Sequence, residues 1–178
     1  SIDAGIARRD PGQFVALDER FGLPDRNVYG IGQSRFPDGS RSIWIGTARG
    51  ARRWHQGRWL EFVPPSFAER TVKDVQLAGD GALWIATDRQ ALRLAASGGV
   101  TEFNIDNSAL PAVGVNQIAI LGGTSPSVWL GTGHGLARWS EHEGLVRVNQ
   151  PGESVERSQV LAMTSDELGR AIWLSTER

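Results

Sequence analysis

Four residues with basic side chains occupy one repeated position. Each stands two residues after a threonine that closes a motif of tryptophan, aliphatic residue, small residue and threonine; they are Arg49, Arg89, His134 and Arg178. Such groups bind carboxylate or sulfate through charge-assisted hydrogen bonds. If the four motifs are equivalent strands, the turns that follow them share one face, which predicts a near-ring of cations for an anionic ligand. The alternative is an ordinary surface role, because exposed turns commonly carry polar residues and arginine also binds turn carbonyls.

Other site chemistry has weaker support. The three histidines, His55, His134 and His142, lack the spacing of metal ligands, and the absence of cysteine excludes disulfides and thiolate chemistry. No Gly-x-Ser-x-Gly motif occurs. An enzyme would have to use His134 with Asp88 or Glu177 as its acid/base pair. We expect no catalytic residue, no metal and no cofactor.

Charge and hydropathy exclude two classes of partner. The net charge is −1, the pI is near 6.3, and no run of like charges occurs, which argues against nucleic-acid binding. No apolar run reaches the roughly 20 residues that span a bilayer, and the first residues lack a signal-peptide pattern. We therefore expect no direct membrane insertion by this chain.

The elements that would position the basic residues repeat with a period of about 44 residues. The motif tryptophans, Trp44, Trp84, Trp129 and Trp173, follow one another at intervals of 40, 45 and 44 residues. This period is typical of the four-stranded blades of a β-propeller. We expect each indole to fill the wedge between neighbouring blades, while the small residue of the motif lets the sheets approach. A sugar-stacking or cation-binding role for the tryptophans is the alternative.

Each module is predicted to form four short strands. Strand A covers 28–33, 72–77, 115–121 and 160–164, with apolar residues at its first and fourth positions. Strand B is the tryptophan motif, strand C covers 6–9, 51–54, 91–94 and 136–139, and strand D covers 14–17, 59–63, 100–104 and 145–148. Glycine turns and prolines separate these strands. The strand C arginines, Arg8, Arg53, Arg93 and Arg138, are expected to form ion pairs between blades or to face solvent.

The fold class is therefore all-β, a propeller of four-stranded antiparallel blades with about four blades in residues 1–178. Complete blades are predicted at 23–66, 67–108 and 109–152. Residues 1–22 supply strands C and D of an incomplete blade, and residues 153–178 supply strands A and B of another. The two halves are complementary, so the alternatives are a small closed ring, a partial propeller, or a homo-oligomer joined through the incomplete blades.

The repeat resembles the two-component regulator propeller family of bacterial hybrid histidine kinases. The resemblance rests on Leu23-Pro24, Asp38-Gly39 and the stretch 43–51, and on the parallel stretch 110–139; Gln90 and Leu94 depart from it. It implies a periplasmic or extracellular sensor that binds a small molecule, often derived from carbohydrate, and signals through adjoining domains. A protein-interaction platform and a lyase-type propeller enzyme are the other functions that the sequence leaves open.

Overall fold

Short antiparallel strands joined by tight turns account for nearly all regular structure. The computed structural model describes residues 5–35, 40–61, 69–148, 157–166 and 169–177. They divide into two compact units, Ser1–Val72 and Lys73–Arg178, which are described separately. Among the described residues, no helix is long and apolar enough to cross a membrane.

The first unit contains one hairpin and one four-stranded sheet. The hairpin pairs β1 (Ile6–Asp10) with β2 (Gln13–Leu17), and the sheet has the order β3 (Val28–Arg35), β4 (Arg41–Thr47), β5 (Gly50–His55) and β6 (Arg58–Glu61). A 3-10 helix at Glu19–Phe21 follows the hairpin. Leu17, Leu23 and Ile45 are buried together and form the core between the hairpin and the sheet.

The second unit contains two four-stranded sheets and a second hairpin. The strands of one sheet are β7 (Val72–Leu77), β8 (Leu83–Thr87), β9 (Ala91–Leu94) and β10 (Val100–Phe103). The other sheet has β11 (Gln117–Leu121), β12 (Ser127–Thr132), β13 (Gly135–Ser140) and β14 (Gly144–Arg147), and the hairpin has β15 (Val160–Ser165) and β16 (Ile172–Thr176). In every sheet the strand order equals the chain order, so each blade is a meander.

These bounds agree with the predicted strands to within one or two residues at most ends. The clearest difference is β11, which begins at Gln117 rather than at Val115. The Val115 amide donates to the Thr87 carbonyl of the preceding sheet at 2.9 Å, so it contributes to a contact between blades instead of a ladder. The predicted breakers at 37–39, 64–65, 151–152 and 168 lie outside the described residues, as do the last two residues of the 59–63 strand.

The first strand of each later sheet or hairpin, β3, β7, β11 or β15, is called its inner strand. The small residue of the motif lies where the inner strand that follows it in the chain approaches. A Cβ on Gly46 would lie 2.7 Å from a Val72 methyl, and one on Gly131 would lie 2.6 Å from a Val160 methyl. In the remaining module, Ala86 and Val115 are fully buried in one cluster. Close packing thus requires glycine or alanine at this position, because a larger side chain has no room.

The motif tryptophans differ in burial. Trp44 and Trp84 are buried, and Trp129 is half-buried. Trp173 is 69% exposed, which corrects the expectation that all four indoles fill wedges. Trp84 packs against Phe103 of its own sheet and Trp139 of the next. Among the described residues β16 ends its sheet, so the Trp173 indole has no equivalent neighbours.

The apolar pattern of strand A is also broken once. Ile31 is 56% exposed, whereas the equivalent Val75, Ile118 and Met163 are buried. Ile118 shares a buried cluster with Trp84 of the preceding sheet, and Met163 shares one with Ala119 of the sheet before its own. The hairpin that precedes β3 has only two strands among the described residues, so Ile31 lacks equivalent neighbours there.

Three of the strand C arginines, Arg8, Arg53 and Arg93, lie over tryptophan rings, a contact that the sequence did not predict. Arg8 is also exposed, in agreement with the predicted solvent-facing position, and Arg138 pairs with Glu143 of its own sheet. The Arg93 guanidinium lies 4.8 Å from the Trp139 ring centroid, and Arg8 lies 5.7 Å from the Trp54 ring; both contacts join neighbouring sheets. Arg93 also binds Asp80 of its own sheet at 3.0 Å. Cation–π contact therefore adds to the attraction between sheets.

Candidate functional site

The motif threonines build the turns that carry the candidate basic residues. Thr47, Thr87 and Thr132 are fully buried, and each hydroxyl donates to the carbonyl three residues later at 2.8–2.9 Å. Each hydroxyl oxygen also accepts the amide of the basic residue two positions on, at 3.1–3.3 Å. One buried hydroxyl thus satisfies a donor and an acceptor of the turn, which holds the backbone while the basic side chain extends outward.

The basic side chains of three of these turns are exposed. The Arg49 side chain is 74% exposed, and its Nε lies 3.6 Å from an Asp25 carboxylate oxygen. Arg89 and His134 are also exposed, and neither forms an ion pair with any acidic side chain that the structure describes. Arg178 lies outside the described residues. The structure therefore gives Arg49, Arg89 and His134 the same local setting, with Arg49 partly neutralised.

The linkers that lead into the next blade close the base of each turn. The Gly50 amide donates to the Arg70 carbonyl at 2.8 Å, and the Gly135 amide donates to the Ser158 carbonyl at 3.0 Å. In the intervening blade Gln90 replaces glycine, and its amide binds the Thr87 hydroxyl at 3.0 Å instead. Gly114 has a positive φ of 76°, and a Cβ there would lie 2.5 Å from the Asp88 carbonyl oxygen. The linker backbone therefore lies directly against the turn.

The residues available for an acid/base mechanism are not brought together by hydrogen bonds. Asp88, His134 and Glu177 are all exposed, and the part of the chain that the structure describes has no hydrogen bond between the His134 ring and either carboxylate. Within the same residues, no group of three histidine, aspartate or glutamate side chains has metal-binding geometry. These charged side chains therefore lie on the surface as separate groups, without the hydrogen bond that an acid/base pair would use.

One buried carboxylate was not identified from the sequence. Asp74 on the inner strand β7 accepts the Ile118 amide of the next sheet and the Val75 amide, both at 2.8 Å, and Gln76 Nε2 at 3.3 Å. Burial raises the pKa of Asp74 above its usual value, although these hydrogen bonds act in the opposite direction. An acidic residue between the apolar positions of Val72 and Val75 was the available signal.

A second polar chain links three inner strands of the second unit. Lys73 Nζ donates to Asn116 Oδ1 at 2.7 Å, and Asn116 Nδ2 donates to the Val160 carbonyl at 3.1 Å. Together with Asp74, these contacts join the starts of β7, β11 and β15. The inner strands are therefore held by side chains where no ladder connects them.

Four-stranded antiparallel meanders whose inner strands pack and bond from sheet to sheet define a β-propeller, and solved structures confirm this fold class. The extracellular domain of a protein assigned as a hybrid two-component system of B. thetaiotaomicron is 20% identical, matches 97% of this chain and 24% of its own, and has a TM-score of 0.69. A second such domain from the same organism is 15% identical over 97% of this chain and 26% of its own, with a TM-score of 0.71.

A propeller enzyme has the same fold. A catalytically inactive virginiamycin B lyase from Staphylococcus aureus is 23% identical over 92% of this chain and 52% of its own, with a TM-score of 0.58. No protein-family model and no curated protein matches the chain. The chain spans about a quarter of the length of the two-component domains it resembles. The chain thus has the fold found in the extracellular domains of two-component sensors.

Proposed function

We propose that this chain is part of the ligand-binding sensor region of a bacterial transmembrane signalling receptor, located in the periplasm or outside the cell. The observation that carries the proposal is the repeated turn in which a buried threonine hydroxyl holds the backbone of an exposed basic residue. The fold, which it has in common with extracellular domains of two-component systems, supports the same function. Adjoining signalling domains of the receptor would transmit the signal that a ligand has bound.

The ligand that suits these turns is a small anion. Arg89 and His134 extend from neighbouring sheets of the second unit, and the backbone beneath them is already fixed by Thr87 and Thr132. Because the turn backbones need no reordering, the conformational entropy lost on binding is mainly that of the side chains. A carboxylate or sulfate group would accept charge-assisted hydrogen bonds from these side chains. A carbohydrate-derived acid has the required chemistry.

The test is charge reversal at the turns with a charge-matched control. The variant Arg89→Glu should weaken binding of succinate and sulfate by at least about tenfold, since a lost charge-assisted bond is worth about 1.5–3 kcal/mol. Its melting temperature should stay near that of the unmodified chain, because the side chain is exposed. Arg170→Glu changes the charge equally at an exposed position outside the basic turns of the second unit and should bind normally. Binding that is unchanged in the first variant, or equally weakened in the second, would contradict the anion site.

A further inference from the structure

The inner strands of the second unit line an open polar cavity away from the basic turns. The cavity has a volume of about 320 Å³ and is lined by residues of β7, β11 and β15 and of the turns that follow β7 and β11. Its hydrogen-bonding side chains are Gln76, Thr164 and Ser165, and its apolar lining includes Leu77 and Ile120. Its volume lies at the lower end of the range of small-molecule sites, and its lining is mostly polar.

We propose that this cavity binds an uncharged small molecule that carries both hydrogen-bond donors and acceptors. Gln76 is oriented by Asp74, whose Oδ1 accepts the Gln76 Nε2 group at 3.3 Å. The two hydroxyls and the carboxamide can each donate and accept, so they suit a ligand with hydroxyl or amide groups.

The lack of charge in the cavity argues against an ionic ligand. None of the lining residues that the structure describes has an ionisable side chain. The nearby Asp74 carboxylate is already bound to the amides of Val75 and Ile118, so it is directed into the sheets. An ion placed in the cavity would lose hydration without gaining a counter-charge, which disfavours it strongly.

The backbone adds further hydrogen-bonding groups. Each of β7, β11 and β15 is the end strand of its sheet, so alternate amide and carbonyl groups on these strands have no ladder partner. At one end of the cavity Gly79 and Gly122 provide no side chain, and a Cβ on Gly79 would collide with the Gly123 carbonyl of the neighbouring turn. Two of the lining positions therefore present backbone alone to the cavity.

Nuclear magnetic resonance titration of the full chain tests the proposal with three probes. The probes are myo-inositol for hydroxyl ligands, N-acetylglycinamide for amide ligands, and N-acetylglycine as the charged match of the amide. At least one neutral probe should shift the amide signals of Gln76, Thr164 and Ser165, with a Kd of about 1 mM expected for so small a molecule. The inositol and amide arms distinguish the two ligand chemistries.

Two variants establish where binding occurs. Thr164→Val/Ser165→Ala removes both hydroxyls and should raise the Kd about tenfold, the effect of losing about 1.4 kcal/mol of hydrogen bonding. Thr101→Val removes an exposed hydroxyl on β10 and should leave the Kd unchanged. The proposal is overturned if neither neutral probe shifts these signals, if N-acetylglycine binds the cavity equally well, or if the two variants behave alike. Anion binding at Arg89 and His134 is followed through different signals, so the two proposals succeed or fail separately.

Discussion

The Asp74 carboxylate accepts a 2.8 Å hydrogen bond from the Ile118 amide, which joins the inner strands of two neighbouring sheets. Each sheet has its own complete ladder, but nothing in a ladder connects one blade to the next. Asp74 supplies such a connection at a strand edge, where an unpaired buried amide would otherwise destabilise the fold.

Replacing Asp74 by asparagine should lower the free energy of unfolding by about 1–3 kcal/mol at pH 7. Asparagine keeps the shape but has only one accepting oxygen, so the amide of Val75 or Ile118 loses its acceptor. Urea unfolding of the two proteins measures the difference. A stability equal to that of the unmodified chain would mean that the carboxylate does not join the sheets.

The contribution of the Asp74 carboxylate to the free energy of unfolding should depend on pH in a defined direction. Burial raises the pKa of Asp74 above its ordinary value of 3.8, so the folded state holds the proton to higher pH than the unfolded chain does. The stability contributed by this group therefore falls as pH rises from 3.8 through the raised pKa, and is constant above it. The difference in unfolding free energy between the unmodified chain and Asp74→Asn should follow this course. A difference that grows with pH would show that hydrogen bonding outweighs burial.

The motif tryptophans should contribute unequally to stability. Trp84→Ala should cost about 3–5 kcal/mol, because the indole is fully buried against Phe103 and Trp139. Trp173→Ala, at the same motif position, should change stability by no more than about 0.5 kcal/mol, since its side chain is exposed. Urea denaturation followed by circular dichroism avoids the altered fluorescence of the variants. Similar losses in both proteins would mean that Trp173 is covered in solution.

Glycine in the motif should be required for contact between sheets. Gly131→Ala should cost about 1–3 kcal/mol, because the added methyl group would lie 2.6 Å from a Val160 methyl. Gly133→Ala is the matched control, since nothing lies within 4 Å of a Cβ there. Thermal unfolding measures both. The cost of Gly131→Ala should shrink in a Val160→Ala background, and an unchanged cost would place the strain elsewhere.

The period of the tryptophan motif was sufficient to predict the sheets, because each motif residue has a packing role that repeats with the blade. Thr47, Thr87 and Thr132 make the same two hydrogen bonds, so one pattern predicts three turns. Burial of Trp173 could not be predicted in this way. The indole depends on neighbours from other strands, and a motif does not specify whether they are present.

The inner-strand groups were harder to predict for a different reason. Gln76, Thr164 and Ser165 come from β7 and β15, and they line one cavity because the sheet that contains β11 packs beside both strands. No spacing in the sequence connects them. The strand C arginines show a related difficulty: Arg93 has both Asp80 and Trp139 within reach, and sequence alone does not distinguish a carboxylate partner from an aromatic one.

Within each turn the threonine hydroxyl binds only backbone atoms. The backbone conformation of the turn therefore does not depend on which side chains the turn exposes. In the turn after β4, the side chains of Ala48 and Arg49 take no part in either hydrogen bond of Thr47, so residues other than proline can replace Arg49 without removing them. The corresponding pairs after β8 and β12 have the same freedom. Selection, or a randomised library, can therefore change the side chains that these turns expose while the hydrogen bonds of the threonine hydroxyls are kept.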